Sequence, residues 1–221
     1  SHHCMSNGKF IKLAPFHIEC VDAILDKKNE TYALILPRGF AKTSLISLFL
    51  PLFLSVRKEM TNVCFVAADL TLAKTIAIIL QAEFENNSKL TSHFKIKKVD
   101  GDWNKCKFTI LVDNDKYITF WCASKGTSLR GMKTTRNERL SHIIFDDLDD
   151  NESVYNVDTI KKQYDWITTN ALPSVDITKK NKIIYCQNYW TDTGLLHKYL
   201  TELKPDVVIK RQAIENGESI W

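Results

Sequence analysis

Two short stretches carry residue types that can do phosphate chemistry. In "LILPRGFAKTS", residues 34–44, an apolar run ends in a turn holding Arg38 and Gly39, and Lys42, Thr43 and Ser44 then open a long apolar-periodic segment. A strand feeding a thin turn at a helix start presents backbone N–H groups to an anion, with a lysine to reach the outer phosphates and a hydroxyl to hold Mg²⁺. The pattern G-x-x-x-x-G-K-[ST] is met only in its last two positions, because Leu36 and Ala41 stand where both glycines belong. Ala41 sets a condition: its methyl is tolerable beside a phosphate if the residue keeps a negative φ. On this stretch alone, a nucleotide site and a plain strand–helix turn with a solvated Arg and Lys are equal readings.

The second stretch, "SHIIFDDLDD", decides between them. Ile143, Ile144 and Phe145 read as a buried strand, and Asp146 and Asp147 follow it. An acid at the end of a second buried strand can hold a phosphate-bound Mg²⁺, and a neighbouring carboxylate can polarise an attacking water. The interval from the lysine loop leaves room for two β–α units. Asp149 and Asp150 read instead as a solvated turn or a helix cap.

A scaffold of strands and helices must bring these residues together. Strand-like runs occur at Tyr32–Leu36, Val63–Ala67, Ile143–Phe145, Ile183–Gln187 and Val207–Arg211, with helical segments at Lys42–Val56 (kinked at Pro51), Leu70–Asn86, Val157–Ala171 and Gly194–Leu203. Phe108–Val112 and Tyr117–Cys122 flank the turn "DNDK" and read as a hairpin insertion. The main strands are continuous apolar runs, as expected when helices cover both faces of a parallel sheet. The expectation is one α/β domain decorated by a hairpin.

Bulk properties agree with a globular chain. The 221 residues are 44% apolar and 25% charged, enough for a sizeable core. A net charge of +4 does not by itself argue for a polyanion partner. The distribution says more: Lys125, Arg130, Lys133, Arg136 and Arg139 precede the acidic stretch at 146–152. Six cysteines, at 4, 20, 64, 106, 122 and 186, form no CxxC, so reduced thiols are expected. The run Leu45–Val56 is too short to span a bilayer, for which ~20 residues are needed. Residues 1–5, "SHHCM", read as an expression-tag remnant, with the domain running from 6 to 221.

With both motifs in hand, the chain resembles the ATPase domain of the large terminase subunit, the DNA-packaging motor of tailed bacteriophages, over nearly all of residues 10–221. The carriers are "PRGFAKTS", a Pro-Arg-Gly loop without the first glycine; "ENNSKLTSHF"; the Trp-containing loop "DGDWNKCKFTI"; "KGTSLRGM"; Arg139 before the acidic strand; "IIYCQNYWTDTGLL"; and the terminal "GESIW". The resemblance implies an ASCE, RecA-like P-loop NTPase fold with a mostly parallel sheet, flanking helices and a β-hairpin insertion. It implies ATP hydrolysis with Mg²⁺, coupled to translocation of double-stranded DNA. Pro37, Arg38, Gly39, Phe40, Ala41, Lys42, Thr43 and Ser44 become the nucleotide loop, Thr43 and Asp146 the Mg²⁺ ligands, and Asp147 the water-orienting acid. Arg38 becomes a cis γ-phosphate sensor and Asn188, where Thr or Ser is common, the coupling residue. Arg130 is the expected trans-acting arginine, with Arg139 as the fallback, and should lie exposed and away from the Lys42 pocket of its own chain.

The family also implies a portal protein, a small terminase subunit and a homo-oligomeric ring of five subunits as partners, and the host cytoplasm as the setting. Its ribonuclease-H-like nuclease domain has no counterpart after Asp150, so a truncated chain without nuclease activity is expected. The adenine-contacting Gln of many relatives is replaced in "PFHIEC", which leaves little to assign Phe16 or His17 to the base, and a core position for Phe16 is as good a reading as a stacked one. Two rival functions remain: another P-loop translocase or helicase-like ATPase, and a nucleotide-dependent binding module without turnover.

Overall fold

The computed structural model describes residues 3–220 apart from 7, 8, 27, 29, 150–153 and 190, with only the backbone described over 3–12. An antiparallel ribbon, β1 (His3–Ser6) with β2 (Lys9–Lys12), precedes α1 (Pro15–Leu25). The strands of the central sheet come next as β3 (Thr31–Ile35), β4 (Asn62–Ala67), β5 (Lys97–Trp103), β6 (Lys107–Val112), β7 (Lys116–Ser124), β8 (His142–Asp146), β9 (Lys182–Gln187) and β10 (Val207–Lys210). Between them run α2 (Leu50–Val56), α3 (Leu70–Asn86), α4 (Ser88–His93), α5 (Val157–Trp166) and α6 (Leu195–Lys198), and the short ribbon β11 (Ile214–Glu215) with β12 (Glu218–Ser219) ends the fold.

The sheet order is β10-β3-β9-β8-β4-β7-β6-β5. The pairs from β10 through β7 are parallel, while β7, β6 and β5 form an antiparallel meander. The expected hairpin is therefore not an appendage, because β7 pairs with β4 and continues the sheet. Only one β–α unit, β4–α3, precedes the meander and β8, where the sequence interval leaves room for two.

Side-chain alternation explains why the strands read as unbroken apolar runs. Tyr32, Leu34, Phe65 and Ile144 enter one core, and Ala33, Ile35, Val66, Phe145 and Tyr185 enter the other. Helices close both faces. Asp69 caps α3 by accepting from the N–H groups of Thr71 (2.7 Å) and Leu72 (3.0 Å), and Ala73, Ile76, Ala77, Leu80 and Phe84 then recur at helical spacing on its buried face.

Several elements differ from expectation. The segment after the lysine loop is π-helical over Thr43–Phe49, with Leu50 N–H reaching the Leu45 carbonyl, and becomes α-helical only at Leu50. Pro51 sits at that seam, in the first turn of α2, where a missing N–H is tolerated. The Trp-containing stretch is not a loop: "KKVDGDW" is edge strand β5, with a register shift between Lys98 and Trp103 around Gly101 at φ 79°. Among the described residues no helix is long and apolar enough to cross a membrane.

Candidate nucleotide site

Every residue named for phosphate chemistry except Arg130 and its fallback Arg139 lies at the carboxyl ends of β3, β8 and β9, the edge at which open α/β sheets bind ligands. Leu36 prolongs β3 by donating its N–H to Gln187 O (3.2 Å). The chain then turns, with Phe40 N–H on Pro37 O (3.4 Å) and Gly39 at φ 81° in the third position, where a side chain would be strained. Ala41 comes next at φ 50°. The condition of negative φ is not met: Ala41 occupies the left-handed region that its missing glycine would have entered freely, at a cost of about 1–2 kcal/mol. Its carbonyl accepts from Leu45 N–H (2.8 Å), so the helical turns begin directly at the loop.

The loop is also held from outside. His17, buried in the first turn of α1, accepts the Ala14 N–H at Nδ1 (3.0 Å), and its Nε2 lies 3.2 Å from Phe40 O. An imidazole that accepts at Nδ1 and meets a carbonyl at Nε2 is neutral with its proton on Nε2. Burial lowers its pKa from the usual 6.5, against a smaller upward pull from the Phe40 carbonyl. The Phe16 ring packs on Phe40 with centroids 5.4 Å apart, so Phe16 is core.

Lys42 is 6% exposed, and its Nζ donates to Asn188 Oδ1 (2.6 Å) and Pro37 O (3.3 Å). Asn188 lies just after β9, the strand separating β3 from β8. Two strand spacings, about 10 Å, therefore separate the lysine strand from the acidic one, leaving room for phosphate between them. Asp146 ends β8 and accepts at Oδ2 from Ser47 Oγ (2.7 Å). Burial pushes the Asp146 carboxyl up to about 6; the hydroxyls of Ser47 and Thr43 and the Lys42 charge pull it down, and Asp147 adds to the rise. Asp147 has φ 47° and donates its N–H to Cys186 O (3.0 Å).

Asp146 Oδ1 and Asp147 Oδ1 are both buried without a donor among the described residues. Two such oxygens beside the Thr43 hydroxyl suit a hard divalent cation that draws its other ligands from phosphate and water. The donor set fits Mg²⁺. The cleft itself, ≈ 400 Å³, is lined by Arg38, Gly39, Lys42, Thr43, Asp147 and Asn188, with Ala41 and Ser44 completing it. Arg38 is exposed at its mouth.

No protein-family model and no curated protein matches the sequence. Solved structures do match in shape. The large terminase ATPase domain of Thermus phage P74-26 aligns with TM-score 0.56 at 12% identity, over 81% of this chain and 67% of that one. The large terminase of a second, thermophilic bacteriophage, solved in complex with ADP, gives 0.55 at 12% identity over 92% and 48%. The DEAD-box helicase Mss116, bound to single-stranded RNA and UDP-BeF, gives 0.56 at 13% identity over 94% and 42%. The fold is that of a RecA-like P-loop domain. The chain spans about two thirds of the Thermus phage chain and under half of the other two.

The remaining residues of the RecA-like domain divide clearly. Arg130 is exposed, donates from Nη2 to Thr169 O (2.6 Å), and lines a separate ≈ 360 Å³ cleft with Lys133 and Arg139 that shares no residue with the Lys42 cleft. Asp149 is not solvated: it is 6% exposed, brackets the Gln187 amide through its backbone N–H (3.2 Å), and accepts from Leu196 N–H at the start of α6 (3.3 Å). It is a cap, but of a distant helix. Asp150 lies outside the described residues. Ser47 and Gln187 escape a reading of the sequence, and His17, weighed there only for the base, holds the loop instead. Ser47 had a findable signal, since it lies four residues after Thr43 and shares its face; His17 and Gln187 act through contacts no local pattern encodes.

Proposed function

We propose that this chain is the ATPase motor domain of a viral large terminase subunit, hydrolysing ATP to drive double-stranded DNA into a procapsid. The observation that carries the ATPase reading is that Lys42 and Asp147, from the exits of two strands, line one cleft, with Asp146 buried beside Asp147 at the end of β8, and that both carboxylates keep a buried oxygen without a donor among the described residues. Lys42 and the loop N–H groups bind the phosphates, and Thr43 and Asp146 hold Mg²⁺. When bound, that ion neutralises charge on the β- and γ-phosphate oxygens. Asp147 orients the attacking water and accepts its proton, and Arg38 reads the γ-phosphate from the cleft mouth. Asn188 couples phosphate state to β9 and the segment after it, a reading supported by its hydrogen bond from Lys42. Arg130 completes a neighbour's site in a ring, with portal protein and the small subunit as further partners and the host cytoplasm as the setting.

The likeness to Mss116, equal in TM-score to that with the Thermus phage domain, favours a second reading as a helicase-like ATPase. The test is steady-state Mg²⁺-dependent ATP turnover with no nucleic acid, with double-stranded DNA, and with single-stranded RNA. Wild-type turnover is expected to rise with DNA and to vanish in Lys42→Ala and Asp146→Ala, while Asp147→Asn binds ATP without hydrolysing it. Stimulation by RNA alone supports the second reading. A folded Lys42→Ala variant that turns over like wild type refutes both, and wild-type binding without turnover leaves a nucleotide-dependent binding module.

A further inference from the structure

At the other edge of the sheet a cavity of ≈ 320 Å³ lies across the amino ends of five adjacent strands, and it shares no residue with the Lys42 cleft. Glu30 and Thr61 stand just before β3 and β4, Lys116 opens β7, Ser141 leads into His142 at the start of β8, and Asn181 leads into Lys182 at the start of β9. Leu25 at the end of α1, Leu54 in α2 and Met60 after it supply an apolar wall, and Leu54 and Met60 are buried. The phosphate chemistry uses none of these side chains.

His142 gives the cavity an unmet donor. The residue is 2% exposed, and its one hydrogen bond among the described residues joins Nδ1 to Ser141 Oγ (2.9 Å). That hydroxyl oxygen already accepts from the N–H groups of Thr61 and Asn62, both at 3.1 Å. With its two lone pairs filled it cannot accept from Nδ1, so the proton of the neutral ring sits on Nε2. Burial, helped by the Lys182 charge, holds the His142 pKa at about 3 and keeps the ring neutral. A buried N–H without an acceptor is destabilising until a ligand supplies one.

The cations of the cavity divide in two. Lys58 pairs with Asp113 and Asp115 (both 3.0 Å), Lys179 pairs with Glu138 (3.2 Å), and Lys182 donates to Asp26 O (3.0 Å) and Tyr32 Oη (2.7 Å). Lys116 and Lys180 have no hydrogen-bond or ion-pair partner among the described residues. Of the two lining acids, Glu59 is held by Arg57 (2.7 Å), and Glu30 and Glu59 both act on the Lys182 charge. Two free ammoniums and an unmet N–H call for an acceptor-only anion, and the wall of Leu25, Leu54 and Met60 calls for an apolar body behind it. The volume lies at the low end for small-molecule sites, about 300 Å³, and so favours a short acid over a polymer.

We propose that this cavity binds a small organic carboxylate, with Lys116, Lys180 and the His142 Nε2–H on the carboxylate and Leu25, Leu54 and Met60 around its apolar body. The site is separate from the Lys42 cleft and does not depend on how that cleft is read.

The experiment is NMR titration of the full chain with hexanoate, butanoate, acetate, hexylamine and a short duplex DNA as probes, following the His142 ring and Asn181 side-chain signals. Hexanoate is expected to shift both saturably and to slow solvent exchange of the Nε2 proton, and each methylene removed from the acid should weaken binding by up to about fourfold. Hexylamine should leave these signals unmoved. The double variant Lys116→Ala/Lys180→Ala should bind hexanoate at least about tenfold more weakly, with its unbound His142 signals matching wild type. Acetate binding as tightly as hexanoate, hexylamine shifting the same signals, or a folded double variant binding hexanoate like wild type each overturns the proposal. So does duplex DNA that moves these signals where hexanoate does not, which would make the lysines a contact for a nucleic-acid backbone. The acid series is read on the wild type, so it decides even where the double variant does not fold.

Discussion

Replacing Asn188 with alanine tests how the loop lysine is held before phosphate arrives. Lys42 and Asn188 are 6% and 9% exposed, and their contact is 2.6 Å long. A hydrogen bond to a charged group contributes about 1.5–3 kcal/mol net, and without it the ammonium keeps only the Pro37 carbonyl, at 3.3 Å, among the described residues. At about 2–4 °C per kcal/mol for a domain of this size, Asn188→Ala should lower the Tm by roughly 3–12 °C. Added nucleotide should then stabilise the variant more than the wild type, because a phosphate supplies the missing acceptor. The wild type must give up its Asn188 bond to bind phosphate and the variant need not. Recovering about 1.4 kcal/mol of that difference tightens nucleotide binding tenfold. Asn188→Asp reverses the sign, since its carboxylate holds the lysine harder and repels phosphate. Thermal melts with and without Mg²⁺ and a non-hydrolysed ATP analogue, paired with titrations, measure all three. An Asn188→Ala variant with unchanged Tm, or with an equal loss whether or not nucleotide is bound, would refute the reasoning.

Three further outcomes are expected. Ser47→Ala removes the hydroxyl that donates to Asp146 Oδ2, and should raise the Mg²⁺ needed for half-maximal nucleotide binding several-fold; an unchanged Mg²⁺ dependence would reduce Ser47 to packing. Ala41→Gly, at φ 50°, relieves about 1–2 kcal/mol of left-handed strain against about 0.4–1 kcal/mol of added unfolded-chain entropy, so the melting temperature should rise slightly; a fall would show that the methyl is needed. Stability should fall as pH drops below 6.5, because burial holds His142 at about 3 and lowers His17, so the unfolded chain takes up protons that the native chain refuses. Asp146, raised to about 6, works in the opposite sense between that value and its usual 3.8, and a His142→Gln variant with a visibly flatter melting-temperature profile from pH 7 to 5 checks the assignment.

The sheet was legible because its inner strands are buried on both faces: β3, β4, β8 and β9 are almost wholly buried, so their apolar runs stand out whatever the register, while edge strand β10 buries only Ile209 and shows itself by its Val-Val-Ile run. β5 was not, because an edge strand of Lys97, Lys98, Asp100 and Asp102 has one side to solvent and little to bury. The lysine loop and the acid pair were readable from residue type and neighbours. Their supports were not. His17 reaches Phe40 across 23 positions and Ser47 reaches Asp146 across 99, distances set by the fold alone. The sign of φ at Ala41 was also hidden, since a missing glycine suggests ordinary backbone until the turn demands otherwise.

The plain strand–helix turn, equal to the nucleotide site on the loop sequence, predicts a relaxed junction. Left-handed backbone occurs at several ordinary turns of this chain, Lys58 and Lys204 among them, so the φ values of 50° at Ala41 and 47° at Asp147 do not by themselves tell the readings apart. But a relaxed junction has no reason to bury a lysine against a neutral amide when solvent is close. It would not leave carboxylate oxygens on Asp146 and Asp147 buried without donors, at about 1–3 kcal/mol for each unsatisfied group. Lys42 and Asp147 line one cleft, and Asp146 is buried next to Asp147. A phosphate gives Lys42 a charged acceptor and a divalent cation satisfies the carboxylates, so the same ligand pair relieves several otherwise unrelated penalties. Uncompensated buried polar groups beside a half-open cleft are the feature that a bound phosphate and cation would satisfy, which is why the proposed reading is favoured over the plain turn.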